Sequence, residues 1–429
     1  MTNPYRFETL ALHSGAVIDE TASRGVPLHR TSAYMFRNTR HAADLFALKE
    51  QGNIYTRLMN PTQDVLEKRV AELEGGAGAL ALASGTAAVH YTIINVCRNG
   101  DEILASKTLY GGTYTMFDAI LPDQGITTRF VDIHNPDEIR NAITERTRLI
   151  YTEIIGNPVL DVPDIAVISD IARENCLPLI VDATFTTPYL CRPLELGADV
   201  VVHSLSKWLC GHGTGIGGIV IDAGRFNWAE QKFALFNEPD PSYHGMRYAH
   251  DLGEFNSLAF IMRMRLVPLR NLGACISPDN AWMFLQGIET LPLRMQRHCD
   301  NAMKTAEFLS RHPAVDWVRY PGLPTDPSHT NAKKQFENGY GGMVVFGIKG
   351  GLDAGRRFID NLTLISHLAN VGDAKSLAIH PASTTHSQLT PEQQATGGVT
   401  PDLIRLSVGI EHIDDIREDM EQALVRAVG

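Results

Sequence analysis

ADVVVHSLSKWLCGHGTGIGGIVID, residues Ala198 to Asp222, holds two short apolar runs around a lysine and a glycine-rich loop. Val200-Val201-Val202 reads as one buried strand and Gly218 to Ile221 as another. His203, Ser204, Ser206 and Lys207 follow the first run. A lysine at the mouth of a buried strand, flanked by hydroxyls, suits a Schiff base. Partial desolvation keeps the amine neutral, and the hydroxyls can bond an anion beside it. Taken alone, Lys207 reads better as a solvated lysine after a strand, and the rest of the chain has to change that. Two other motifs fit the same letters. Ser204-Leu205-Ser206-Lys207 matches the S-x-x-K of serine acyltransferases, which expects a downstream K-T-G that this chain lacks. Gly213 to Gly218 satisfies G-x-G-x-x-G, but a dinucleotide fingerprint opens a helix and this loop leads into a strand. The glycines are expected to let backbone pass close to a bound group and turn sharply.

Working outward, short apolar runs alternate with helical segments at Ala79–Ala83, Glu102–Ala105, Thr127–Val131, Arg148–Glu153, Leu179–Asp182, Val200–His203 and Gly218–Ile221. Seven strands alternating with helices imply an α/β fold with a mostly parallel sheet, covered on both faces. Ligands of such sheets sit outside the strand C-termini, where Ser84, Glu153, Asp182 and Ser204 fall. Residues 1 to about 60 read as an extended arm, with Pro27 to Tyr34 a short strand or a loop and His41 to Glu50 a short helix. Asn60-Pro61 fits cap then first turn of an amphipathic helix carrying Val65, Leu66, Arg69, Val70 and Leu73. Residues 61–290 are expected to form the large domain, with an irregular insertion at 226–268. Residues 291–429 are expected to form a smaller α+β domain, with strands near Trp317–Tyr320, Gly342–Ile348, Thr363–Ser366 and Leu403–Ser407.

At 429 residues, 44% apolar and 20% charged, the composition is that of an ordinary globular chain. A formal charge of -11 argues against a generic nucleic-acid or anionic-membrane partner. Six cysteines without C-x-x-C spacing suggest reduced thiols. No window approaches the apolar length of a membrane span, and the N-terminus lacks an apolar signal core, so a cytoplasmic protein is expected.

Asp182, ending the run Leu179-Ile180-Val181, can be a structural cap, a metal ligand or the counterion of a protonated ring nitrogen. No second acid or histidine lies at ligand spacing, which weakens the metal reading. Ser84-Gly85-Thr86 stands before the helix Ala87–Val96 and serves either as a phosphate site or as a helix cap. An anion site, an acid and a lysine at strand ends together fit pyridoxal phosphate, whose phosphate, ring nitrogen and aldehyde need those three partners.

The stretches NIYTRLMNPT, ASGTAA, LYGGTY, IGNP, EPDPSYHG, LPLRM, SHLANVGDAKSLAIHPASTTHSQL and RLSVGIEHIDD join the lysine segment in a wider likeness. From Glu8 nearly to the C-terminus the chain resembles the cystathionine and methionine metabolism group of fold-type I pyridoxal-phosphate enzymes, most closely the O-acetylhomoserine sulfhydrylases. The resemblance implies that Lys207 carries the cofactor, Asp182 pairs with its ring nitrogen, and Tyr110 stacks on the ring and serves in proton transfer. It implies Ser84, Gly85, Thr86, Ser204 and Ser206 around the phosphate, with Tyr55 and Arg57 reaching the phosphate of a neighbouring subunit. Arg405, helped by Asn157 and Asn370, would hold the amino-acid carboxylate, and Glu153 would sit near the cofactor face. The implied reaction is γ-replacement on an O-acylated homoserine, most closely the acetyl ester. Sulfide or methanethiol enters to give homocysteine or methionine. A homotetramer of two catalytic dimers and no metal are implied too.

Methionine γ-lyase is the nearest alternative; that relative typically has cysteine where this chain has Gly112, and lacks an insertion like 226–268. Cystathionine γ-synthase, with cysteine as nucleophile, is another, and a cofactor-free serine acyltransferase the rival of a different class. Ala183, Ser206 and Trp208-Leu209-Cys210 depart from the usual pattern around the lysine without removing a catalytic atom.

Overall fold

The computed structural model describes residues 4–18, 20–384 and 398–429. Thr385 to Leu389, the end of one stretch quoted above, lie outside them. Seven strands form the large sheet: β1 Gly78–Leu82, β2 Glu102–Ser106, β3 Thr127–Val131, β4 Thr147–Glu153, β5 Leu179–Asp182, β6 Val200–Ser204 and β7 Gly218–Asp222. Their order is β1-β7-β6-β5-β4-β2-β3. Only β7 runs against its neighbours; the other pairs are parallel. Every run named from the sequence is a strand in this sheet. All parallel strands present their C-terminal ends on one edge.

Strand alternation divides the sheet side chains between two cores. Ile150, Leu179, Val181, Val201 and Ile219 face one side, with the helices Pro61–Glu74 and Pro278–Glu289. Tyr151, Ile180, Val200, Val202 and Val220 face the other. Asn60 caps the first of these helices, its Oδ1 accepting from Thr62 N at 2.9 Å, and Pro61 occupies the first turn, where its missing N–H costs nothing.

Two segments gain detail. The irregular segment 226–268 packs on the sheet: Trp228 stacks on Phe236 and Phe260 at 4.5 and 5.1 Å, and these rings belong to the second core. It contains the helices Ala234–Asn237 and Ala259–Met264, so its aromatic residues mark burial against the sheet. The first 60 residues are not wholly extended. Helix Phe7–His13 buries Ala11, and Arg69 Nε donates to Ser14 O at 2.9 Å, tying this start to the chain's own core. The Pro27–Tyr34 segment is a loop, with one bridge from Ala33 to Tyr55; helix Thr39–Phe46 follows it.

The second sheet has five strands in the order β10-β11-β12-β9-β8: β8 Val315–Arg319, β9 Met343–Ile348, β10 Ser366–His367, β11 Leu377–Ile379 and β12 Leu403–Ser407. β11, only three residues long, has no distinct sequence signal. β10 begins where the expected third strand ended. Helix Leu291–Leu309 belongs to both bodies: Leu291, Met295 and Cys299 pack in the large core, and Ala302, Ala306 and Leu309 in the small one. No helix among the described residues is long and apolar enough to cross a membrane.

Candidate active site

A cavity of about 390 Å³ opens at the C-terminal edge of the large sheet. Ser84, Glu153, Asp182, Ser204 and Lys207 line it from the sheet side, while Asn370 and Arg405 reach it from the second body. Gly85, Thr86, Tyr110, Asn157 and Ser206 complete the set named from the sequence. Tyr55 and Arg57 do not line it. They are exposed, with the Arg57 guanidinium 5.2 Å from the centre of the Tyr55 ring.

At one end of the cavity the geometry suits an anion. Ser84 caps helix Gly85–Val96, its Oγ accepting from Ala87 N at 3.0 Å. The N–H groups of Gly85 and Thr86, in the first turn, then lack a partner within the helix. Ser204, ending β6, crosses closely: a Cβ on Gly85 would lie 2.7 Å from Ser204 Cβ. Ser204 N is held by Thr184 Oγ1 at 2.9 Å. Ser206 Oγ accepts from Gly217 N at 3.0 Å, which pins the glycine-rich loop. Of that loop, Gly213 and Gly215 line the cavity. Gly217 instead leaves room for Phe284, whose ring a Cβ would meet at 2.3 Å.

The middle of the cavity is electrically uneven. Glu153 and Asp182 are register partners on β4 and β5, so their side chains stand side by side. Burial raises Asp182, with the Thr184 hydrogen bonds and the His203 charge opposing it. Glu153 goes well above the carboxylate range, by burial first and by the neighbouring Asp182 charge next. Asp182 Oδ1 accepts from Thr184 N at 2.9 Å and Oδ2 from the Tyr151 hydroxyl at 3.5 Å. No cation is hydrogen-bonded to it among the described residues. Glu153 Oε1 accepts from Tyr110 N at 2.6 Å and so holds the half-exposed Tyr110 at the cavity mouth.

Two cations face these acids without meeting them. Lys207 Nζ donates to Asn370 Oδ1 at 2.5 Å, and its pKa is lowered, mainly by burial and further by the Arg405 charge. Arg405 Nη1 donates to Asn157 Oδ1 at 3.1 Å; burial pushes its guanidinium down to about 10. Both cations thus rest on neutral amides. Desolvated charges without counterions are costly, and here they leave open an acid that wants a cation and a guanidinium that wants a carboxylate. Pyridoxal phosphate with an amino acid fits that demand: a protonated ring nitrogen for Asp182, a phosphate for the helix start, and an α-carboxylate for Arg405.

Comparisons with known proteins agree with this donor set. A profile of the Cys/Met metabolism PLP-dependent enzyme family matches residues 8–425. The chain belongs to that family. It is 55% identical to the O-acetyl-L-homoserine sulfhydrylase of Leptospira meyeri, over 99% of this chain and 98% of the relative. It is 50% identical to O-acetyl-L-homoserine sulfhydrylase 1 of Thermus thermophilus, over 98% of this chain and all of that one. The homocysteine synthase of Schizosaccharomyces pombe is also 50% identical, over 97% of this chain and 98% of its own. Among solved structures, a Campylobacter jejuni protein provisionally named O-acetylhomoserine (thiol)-lyase superposes with a TM-score of 0.94 at 42% identity. The match covers 98% of this chain and 100% of that one, and that structure carries N'-pyridoxyl-lysine-5'-monophosphate. The protein is a fold-type I pyridoxal-phosphate enzyme.

Sequence reasoning missed Tyr151, which bonds Asp182 from below the cavity, and several lining residues, Thr184 among them. Tyr151 lies two residues before Glu153 on β4, so strand alternation alone puts it on the same face as the acids. Thr184 follows Asp182 by two. Thr113 and Phe185 also line the cavity, and nothing in their local pattern distinguishes them from core residues.

Proposed function

We infer that this chain catalyses γ-replacement on O-acetyl-L-homoserine, with sulfide displacing acetate at Cγ to give homocysteine. The observation that carries this reading is the mismatch of charges in the cavity: Lys207 and Arg405 on amides, Asp182 without a cation. The names of the relatives supply the substrate. Methanethiol in place of sulfide would give methionine.

Bound pyridoxal phosphate supplies the electron sink that makes protons at Cα and Cβ of an amino acid removable. Lys207 would hold the cofactor aldehyde and, with its amine free, would take the proton from Cα and, after passing that proton on, the one from Cβ. Its lowered pKa keeps more of the amine neutral and able to take those protons. Asp182 holds the ring-nitrogen proton, and Tyr151 and Thr184 fix the carboxylate for that bond. Ser84, Gly85, Thr86, Ser204 and Ser206 hold the phosphate. Tyr110 stacks on the ring and shares in proton transfer, while Glu153 lies near the cofactor face and keeps Tyr110 in place through its backbone N–H. Arg405 takes the substrate carboxylate as a bidentate pair, with Asn157 and Asn370 beside it.

Tyr55 and Arg57 serve a neighbouring copy's phosphate, within a homotetramer of two catalytic dimers; their exposure away from their own cavity supports this. Residues 1–60 act as the arm that delivers them, 61–290 as the cofactor domain and 291–429 as the substrate-carboxylate domain. A cytoplasmic setting agrees with six unpaired cysteines. The γ-lyase alternative is disfavoured at Gly112: a Cβ there would lie 2.6 Å from Tyr110 Cε1, so a cysteine would displace the ring.

The test supplies the cofactor-loaded protein with O-acetylhomoserine and sulfide, methanethiol, cysteine or no thiol. Acetate and the amino-acid product are followed together. Homocysteine that forms only with sulfide supports the reading, and faster methionine formation would name methanethiol as the donor. Ketobutyrate and ammonia without any thiol would make the protein a γ-lyase instead.

A further inference from the structure

Beneath the cavity rim, outside the residues given roles above, one carboxylate joins three separate loops. Asp161 Oδ2 accepts from Thr108 Oγ1 at 2.8 Å and lies 2.7 Å from His134 Nε2. Thr108 follows β2 and stands two residues before Tyr110. Asp161 closes the turn after β4 that carries Asn157: Gly156 N donates to Asp161 O at 2.9 Å and Leu160 N to Gly156 O at 3.0 Å. His134 comes from the loop after β3.

The fit is close. A Cβ on Gly156 would lie 2.1 Å from Asp161 Oδ1 and 3.0 Å from Thr108 Oγ1, so only glycine admits the carboxylate at this turn. Asp161 is largely buried, its side chain 14% exposed, and Oδ1 has no hydrogen-bond partner. Thr108 is itself fixed, with its N–H donating to Ser106 Oγ at 3.2 Å. A desolvated carboxylate with so few donors is not a default surface feature. His134 is the outer partner, and the Asp161 hydrogen bond is the largest cause holding its pKa above the ordinary histidine value. The other charged groups facing that ring are Asp132, which also raises it, and Arg319, which lowers it.

We propose that Asp161 is a positioning residue that locks the Tyr110 loop to the Asn157 loop, through Thr108 on one side and its own turn on the other. It touches neither cofactor nor substrate. The ring-stacking group and the carboxylate-binding amide are set by different strands, β2 and β4. Asp161 fixes their separation, with His134 as its partner at the surface end.

This inference rests on the roles given above to Tyr110 and Asn157. Its test uses Thr108→Val, which keeps the shape and removes the donor, Thr108→Ser, which restores it, and Asp161→Asn. In the cofactor-free protein, hydrogen exchange at 107–110 and 154–161 should rise together in Thr108→Val and return with Thr108→Ser. In the loaded enzyme, the visible circular dichroism of the cofactor should change. KM for O-acetylhomoserine should rise about tenfold, with a smaller fall in kcat, as expected for one charge-assisted hydrogen bond. Asp161→Asn should move in the same direction. A simple loss of folded protein lowers apparent kcat and leaves KM unchanged. Thr108→Val with wild-type exchange at 154–161, wild-type dichroism and wild-type KM would overturn the proposal. Turnover retained by Lys207→Ala would overturn the reading of the site instead, and would leave the exchange coupling between the two loops standing.

Discussion

Two pairs of desolvated acids stand at opposite ends of the large sheet, and they have different fates. Glu153 and Asp182 end β4 and β5 beside the cavity. Asp199 and Asp222 lie at the other edge, where β6 begins and the antiparallel β7 ends. Burial is the first cause of a raised pKa in all four. At the far edge Asp199 reaches about 6 and Asp222 about 7. There the acids are closed in: Leu179 N and Gly224 N donate to them, and Arg225 lies 3.9 Å from Asp199. At the cavity edge the acids face open space, and the nearby cations bond amides instead. Desolvated acid therefore does not mark a site. Desolvated acid and desolvated base, held apart around a cavity, do.

Substitutions should separate the two edges. The largest effect falls on Lys207→Ala, which removes both attachment point and base; turnover should drop about 10³-fold or more, with the fold intact by circular dichroism. Asp182→Asn should lower kcat about 10²–10³-fold, because the ring nitrogen loses its anionic partner. Loss of activity matched by loss of cofactor binding alone would assign Asp182 a holding role only.

Arg405→Gln should lower kcat/KM for the amino acid about 10²-fold, chiefly through KM, since a charge-assisted bidentate contact goes. It carries a pH consequence as well. Arg405 is the second cause of the lowered Lys207 pKa, so removing it moves that pKa upward toward the ordinary lysine value. Less neutral amine then remains at pH 7, and the rate at which cofactor-free protein captures pyridoxal phosphate should fall there. The whole rate–pH curve should shift to higher pH, readable from the visible absorbance.

The smallest effect is expected at the far edge. Asp222 has a folded pKa above its unfolded one, so between about pH 4 and 7 the native state binds more protons and stability falls as pH rises. Asp222→Asn removes this loss. Activity should stay unchanged, with Tm higher by about 1–3 °C at pH 8 and the gain shrinking toward pH 5. A gain equal at both pH values would mean that packing, not ionisation, is responsible.

The sheet edge was more legible in sequence than the rest of the site. The buried strands are short and apolar, and the C-terminal edge of their parallel set is where such sheets take ligands, so Ser84, Glu153, Asp182 and Ser204 could be placed from pattern alone. Arg405 and Asn370 could not. Each comes from the second body, where β12 is one apolar strand among several and Asn370 sits in a loop with no period. Their arrival at the cavity depends on how two bodies pack, and only the family resemblance pointed to them. The same resemblance gave Asn370 to the substrate carboxylate, whereas its Oδ1 here holds Lys207 Nζ. Aromatic residues at 226–260 were legible only in part. Their irregular spacing suggested an insertion without saying what it packs on, and Trp228, Phe236 and Phe260 are stacked in the core.

The most direct measurement is borohydride reduction of the yellow, cofactor-loaded protein followed by peptide mapping. The account predicts one pyridoxyl label per chain, on the peptide containing Lys207, and none in Lys207→Ala. A label on a different lysine, or a protein that turns over substrate without any label, would contradict it.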